Sequence, residues 1–305
     1  MSLLTVGSVA FDALETPYGK TDKIIGGAAT YATLAASYFT KANNLVAVVG
    51  DDFPQSMIDL LETQGVNTEG LEIRKGEKTF FWSGRYHENM NSRDTVEVQL
   101  NVMGDFNPKI PDSYQGATYL LLGNTSPEIQ KMVLDRLATR PRLVVLDTMN
   151  LWIDIALDSL KTVLKEVDLL TINDEEARLL SGEYSLRKAA KKILTMGPKT
   201  LIIKKGEHGA LLFHRDEVFF APALPLEEVF DPTGAGDSFA GGFIGYLART
   251  DDISFENLKR ALIYGSVMAS FCVEKFGVER LVGLSETEIN ERLAEFVKLA
   301  IFKVD

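Results

Sequence analysis

Asp231-Pro232-Thr233-Gly234-Ala235-Gly236-Asp237-Ser238-Phe239-Ala240-Gly241-Gly242 is the stretch on which the reading of this 305-residue chain turns. Gly234 and Gly236 let the backbone approach a ligand closely. Phe239, Phe243 and Leu247 recur at helical spacing, so a helix starts near Asp237. Free amides of Ala235, Gly236 and Asp237 in its first turn, with the positive end of the helix dipole, predict an anion site. Such a site suits the charge that develops on a transferring phosphoryl group. Asp237 sets a carboxylate beside that anion, which simple phosphate binding would avoid because like charges repel. A general base taking the proton of an attacking hydroxyl belongs at that place. The alternative for Asp237 is a helix N-cap after a glycine turn.

Outward from this stretch, short apolar runs that end in Gly, Asp or Asn recur: Leu3 to Val9, Leu45 to Val49, Tyr119 to Leu122, Leu143 to Leu146, Leu169 to Ile172 and Leu201 to Lys204. Between them lie segments with helical spacing: Ala28 to Phe39, Pro54 to Gln64, Pro127 to Ala138, Ile153 to Lys165 and Leu186 to Met196. After Phe230 the chain turns mainly helical, over Gly236 to Ala248, Phe255 to Glu274 and Glu286 to Phe302. The alternation predicts a three-layer α/β/α core with a mainly parallel sheet, built as one domain over residues 1–305. Two segments, at about 11–25 and 71–102, read instead as alternating polar and apolar residues of antiparallel strands. They predict a small β subdomain inserted into the core, acting as a lid, with Trp82, Arg85, Tyr86 and Arg93 as its candidate contacts.

Composition narrows the partners. Thirty-two basic against 43 acidic residues give a net charge of −11, which repels phosphate backbones and anionic lipid and predicts neither nucleic acid nor membrane as partner. An anionic nucleotide must then be held by local devices such as helix N-termini, backbone amides or a metal ion. Cys272 is the one cysteine and lies in an apolar helical stretch, which reads as a buried structural thiol in a reducing compartment. The start, MSLLTVGSVAFDA, has no basic region before a long apolar run, and the expected location is cytoplasmic.

The segment DPTGAGDSFAGGF resembles the C-terminal signature of the ribokinase-like (PfkB) carbohydrate kinase family. GSVAFDAL near the start, Gly26-Gly27-Ala28-Ala29, Asn173-Asp174-Glu175-Glu176 and Lys205-Gly206-Glu207-His208-Gly209-Ala210 follow the family order, so the resemblance covers essentially the whole chain. It implies an ATP-dependent kinase acting on a primary hydroxyl of a small sugar or sugar-like substrate, with a nucleoside as the alternative acceptor. By this resemblance Asp237 is the catalytic base and Gly234, Ala235 and Gly236 the anion hole. Asp12, Gly26 and Gly27 hold the substrate, and Tyr31 stands where many sugar-specific members carry asparagine. Tyr31 reads either as a stacking surface or as a core aromatic at helical spacing from Leu34 and Ala35. The resemblance places Asn173, Glu176, Lys205, Gly206 and Gly277 on the nucleotide side, with Glu176 acting on Mg²⁺ through water. Asp231 and Thr233 match positions that hold a monovalent cation, usually K⁺. A homodimer through the β lid occurs in some relatives.

Other chemistries find no support. Gly19-Lys20-Thr21 lacks the glycine a phosphate-binding loop needs at position 14, which is Leu14. His87, His208 and His214 are too scattered for a zinc site. Gly236-Asp237-Ser238-Phe239-Ala240 is not a nucleophile elbow. A sensor that kept the scaffold and lost catalysis would be expected to show a lost base or a broken glycine turn, and both are intact.

Overall fold

The computed structural model describes residues 1–301. In chain order the first half contains β1 (Leu3–Val6), β2 (Ala10–Thr16), β3 (Gly19–Lys20), β4 (Ile24–Gly26), α1 (Ala28–Ser37), β5 (Asn43–Gly50), α2 (Gln55–Thr63), β6 (Val66–Arg74), β7 (Phe80–Tyr86) and β8 (Arg93–Gln99). Then come β9 (Tyr119–Leu122), α3 (Pro127–Arg136), β10 (Leu143–Asp147), α4 (Asn150–Ile155), α5 (Leu157–Leu164), β11 (Leu169–Asn173), α6 (Asp174–Ser181), α7 (Leu186–Leu194) and β12 (Thr200–Lys204). The chain closes with β13 (Ala210–His214), β14 (Glu217–Ala221), α8 (Ala235–Thr250), α9 (Phe255–Cys272) and α10 (Glu286–Ala300).

Nine strands form the central sheet in the order β14-β13-β12-β11-β10-β9-β1-β5-β6. From β12 to β6 all neighbours pair in parallel, and β13 and β14 add an antiparallel edge. Because successive side chains of a strand point to opposite faces, each strand feeds two cores. Leu3, Ala47, Leu121 and Val145 face one, with α1, α8 and α9; Leu4, Val48, Leu122 and Leu146 face the other, with α3, α5 and α7. Burial on both sides explains why these strands read as unbroken apolar runs. α1 and α8 pack so closely that a Cβ at Gly241 would overlap the backbone of Ala32, so the glycines of α8 set the distance between the two helices.

A second sheet of five strands runs β3-β2-β7-β8, with β4 paired to β2. Its outer strand β8 is exposed at every residue. The expected second lid segment differs at its start: Leu71–Arg74 belongs to β6 and pairs with Ala47–Gly50 of the central sheet, so this part of the lid begins at Phe80. The helix expected over Ile153 to Lys165 is two helices, broken at Ala156. Phe302, the expected end of the last helix, lies outside the described residues. No helix among the described residues is long and apolar enough to cross a membrane.

Candidate active site

The glycine turn before α8 is the centre of the site. Gly234 is the N-cap of α8 at φ 74°, a conformation that glycine adopts without the Cβ penalty. Any side chain there would also run into the ring of Tyr31. Two short bonds, Ala235 N–H to Pro232 O at 3.2 Å and Ser238 N–H to Gly234 O at 2.8 Å, hold the turn. The N–H groups of Gly236 and Asp237 have no carbonyl partner among the described residues. With no side chain capping α8, those amides and the helix dipole are available to an anion. Asp237 lies in the first turn beside them.

Burial pushes the Asp237 carboxyl up to about 6, and the neighbouring Asp147 carboxylate adds to the shift while Lys204 and Arg93 oppose it. A group with that value is a carboxylate at neutral pH yet retains basicity, as a proton acceptor requires. Lys204 and Asp147, which the motif reading passed over, form an ion pair of 3.3 Å with side chains 17 % and 7 % exposed. Each ends a strand of the parallel sheet, at the carboxyl edge where such sheets place their ligands. That position, a charged residue closing an apolar run, is the signal that could have found them.

Asn173 and Glu176 lie together in the same region. They form a reciprocal capping box at the start of α6: Glu176 N–H donates to Asn173 Oδ1 and Asn173 N–H donates to Glu176 Oε2, both at 2.8 Å. Burial raises Glu176 to about 7, with Lys204 pulling down and Asp147 pushing up. Gly206 lines a cavity of about 410 Å³ with Lys204, Gly236, Leu224, Val229 and Phe239. Lys205 does not line it. Strand alternation turns Lys204 inward at this position, and the Lys205 N–H bonds Gly209 O at 2.8 Å. Gly277 is likewise away from the cavity, and its N–H donates to Asp231 Oδ2 at 2.9 Å.

Asp231 is fully buried, with Thr233 N–H on its other oxygen at 2.8 Å. Thr233 Oγ1 lies 2.9 Å from the hydroxyl of Tyr86, which ties this loop to lid strand β7. Asp12 is on β2 opposite Ile24, so the base of the lid carries it. A Cβ at Gly26 would overlap its carboxylate, and one at Gly27 would lie 2.5 Å from Ser8 O; the glycine pair is what lets these segments meet. Burial, reinforced by Asp231 and Asp237, raises Asp12 to about 8. Arg93 on β8 offsets part of this, and it lies 5.5 Å from the Trp82 ring. Arg85 instead pairs with Glu15 at 2.9 Å on the outer lid surface.

Of the two readings of Tyr31, the structure agrees with the core aromatic. Its side chain is 1 % exposed, its ring packs beneath Gly234, and its hydroxyl has no partner among the described residues. It therefore presents no face for a ligand to stack on and serves as the floor of the anion turn.

The model of the pfkB family carbohydrate kinases matches residues 2–282. The chain belongs to that family. It is 31 % identical over 255 residues to the cytidine kinase of Thermococcus kodakarensis, covering 82 % of this chain and 89 % of that one. Its fold is similar to the nucleoside kinase of Methanocaldococcus jannaschii, with a TM-score of 0.77, 22 % identity and coverage of 97 % and 99 %. It is also similar to a putative ribokinase II of E. coli solved with ATP and Mg²⁺, with a TM-score of 0.78, 20 % identity and coverage of 98 % and 99 %. As a pfkB-family member the chain is an ATP-dependent sugar or nucleoside kinase, and its second sheet meets the loop before α8 through Tyr86.

Proposed function

We propose that this kinase transfers the γ-phosphoryl of ATP to a primary hydroxyl of a small sugar or sugar-like acceptor, with Asp237 as the base and the Gly234–Asp237 amides as the anion hole. The observation that carries this reading is the α8 turn itself: the open amides of Gly236 and Asp237, a positive dipole end and a carboxylate raised to about 6 within one helical turn, the Ala235 amide being taken by Pro232 O. Asp237 takes the hydroxyl proton as the oxygen attacks phosphorus, and the bond to the β-phosphate oxygen breaks with its electron pair leaving on ADP. Asp12, once ionised, accepts hydrogen bonds from other acceptor hydroxyls, with Gly26 and Gly27 admitting the acceptor close to the backbone.

A nucleoside acceptor is favoured by one observation, the likeness to the cytidine kinase over 82 % of the chain. Mg²⁺ would be held by Glu176 through water, neutralising charge on the phosphates; a buried carboxylate with hard oxygens fits that ion. Asp231 and Thr233 would hold K⁺: the Asp231 carboxylate is fully buried, held by the Thr233 and Gly277 amides and the Thr233 side chain with no cationic partner among the described residues, a setting that a monovalent cation would balance. The exposed β8, with Val96 and Val98 60 % and 49 % exposed, would pair two lids in a homodimer.

The test is ADP release with Mg²⁺, with and without K⁺, across pentoses, hexoses, phosphosugars and nucleosides, with Asp237→Asn as control. An acceptor-dependent signal that the substitution abolishes supports the reading. Full activity of the variant removes Asp237 from its role, and silence of the wild type on every acceptor, with ATP bound, favours a sensor.

A further inference from the structure

Lys204 occupies a place the motifs do not explain. It closes β12 and its side chain is 17 % exposed, yet it does not reach solvent as surface lysines do. Its Nζ lies 3.3 Å from Asp147 Oδ1 and 3.0 Å from where a Cβ on Gly236 would stand. The ammonium is therefore packed against the turn whose amides form the anion hole. A larger residue at position 236 would crowd it, so the glycine that opens the turn also admits the lysine.

Three carboxylates, on Asp147, Glu176 and Asp237, act on this one ammonium. Burial alone would lower its basicity, and their combined charge raises it. The cluster is thus short of positive charge on the side from which an anionic nucleotide must enter, and Lys204 lines the cavity there together with Gly206 and Gly236. A chain of net charge −11 has no general attraction for ATP, so a fixed cation at the phosphate end carries weight. A lone buried ion pair would be an alternative explanation, but a pair kept only for stability has no reason to open onto the cavity.

We propose that Lys204 is a catalytic residue that contacts the transferring phosphoryl group beside the Gly236 and Asp237 amides, and that Asp147 is the positioning residue that holds it there. This inference rests on the kinase reading above. In the transfer, the acceptor oxygen bonds to the γ-phosphorus, the bond to the ADP oxygen breaks, and the acceptor proton goes to Asp237. Lys204 keeps its proton throughout and offsets charge on the equatorial oxygens. Asp147 acts through the lysine: its carboxylate, 7 % exposed, fixes the side chain across the floor of the cleft.

The experiment uses the full chain with MgATP and the acceptor found by the panel assay. It measures kcat, KM for both substrates and ADP affinity for wild type, Lys204→Met, Lys204→Arg and Asp147→Asn. Lys204→Met lowers kcat about 100-fold, the typical cost of losing one preorganised donor, with acceptor KM and ADP affinity little changed. Lys204→Arg restores a substantial part of kcat because it returns the charge. Asp147→Asn keeps the cation and releases its anchor, so kcat falls less than in Lys204→Met. A Lys204→Met enzyme that turns over like wild type overturns the proposal. So does a parallel loss of kcat and ADP binding that Lys204→Arg does not relieve, the mark of a purely structural pair. If Lys204→Met does not fold, Lys204→Gln, which can still hydrogen-bond Asp147, is read by the same criteria. A wild type that phosphorylates nothing is a failure of the kinase reading, distinct from an active wild type whose lysine proves dispensable.

Discussion

Two helices of this protein start from a glycine of positive φ and meet along their lengths, yet their first turns do different work. At α1 the cap is Gly27, with φ 95°, and the first amides are already occupied: Ala28 N–H donates to Ser8 Oγ at 3.0 Å and Ala29 N–H to Ser8 O at 2.9 Å. At α8 the cap is Gly234, with φ 74°, and the amides of Gly236 and Asp237 are open. Each start has its own carboxylate, Asp12 against Gly26 and Asp237 within the α8 turn. A helix N-terminus becomes an anion site only when nothing local satisfies its donors. On the proposed reading α1 builds the acceptor wall and α8 the transfer site, although both begin with similar glycine-rich sequence.

The strongest way to break this division is Asp237→Asn. Loss of a positioned general base is expected to cut kcat about 10²–10⁴-fold, with ADP binding retained by calorimetry; equal activity would show that the open turn works without a base. Gly234→Ala comes next. A Cβ there meets the Tyr31 ring and φ is 74°, so we expect a loss of about 1–3 kcal/mol in denaturant unfolding together with most of the activity. Unchanged stability would mean that the turn relaxes without strain.

The third test exploits charge. Asp12 has its carboxyl raised from 3.8 to about 8, so its protonated form is favoured in the fold. Its contribution to stability is present below pH 3.8 and is lost as pH rises through about 8. Asp12→Asn should accordingly gain thermal stability over wild type as pH goes from 4 to 8 while acceptor KM rises, a gain of stability and loss of function in one residue. A Tm difference that does not vary with pH would place the buried charge elsewhere. Over a similar range kcat/KM should rise with pH through about 6 as Asp237 ionises, and the acid limb should vanish in Asp237→Asn. The smallest effect expected is that of Ser8→Ala, which removes one of the two bonds at the α1 start and costs about 1 kcal/mol. If it also created ATP affinity at α1, measured by calorimetry with Asp237→Asn in the background, the occupied turn would be shown to differ from the open one only by its cap.

Much of the architecture was legible. The central strands read as apolar runs because both of their faces are buried, and the α8 turn read as an anion site because glycine, dipole and carboxylate are neighbours in sequence. The lid was legible in its alternation, but its boundary was not: Leu71–Arg74 alternates as the lid does and is nevertheless parallel to β5. Strand partners are chosen by burial across the sheet, which periodicity does not report.

Tyr31 and Lys204 show where reading by position stops. The sequence by itself determined the α/β class, the open glycine turn and the presence of Asp237 beside it, since each depends on residues within one or two helical turns of each other. Tertiary structure decided that Tyr31 floors the turn rather than facing a ligand, that Lys204 rather than Lys205 enters the cleft, and that Asp147, 57 residues away along the chain from Lys204, pairs with it. Those outcomes depend on which faces of distant elements are brought together, and the field of a buried charge is set by its neighbours in space.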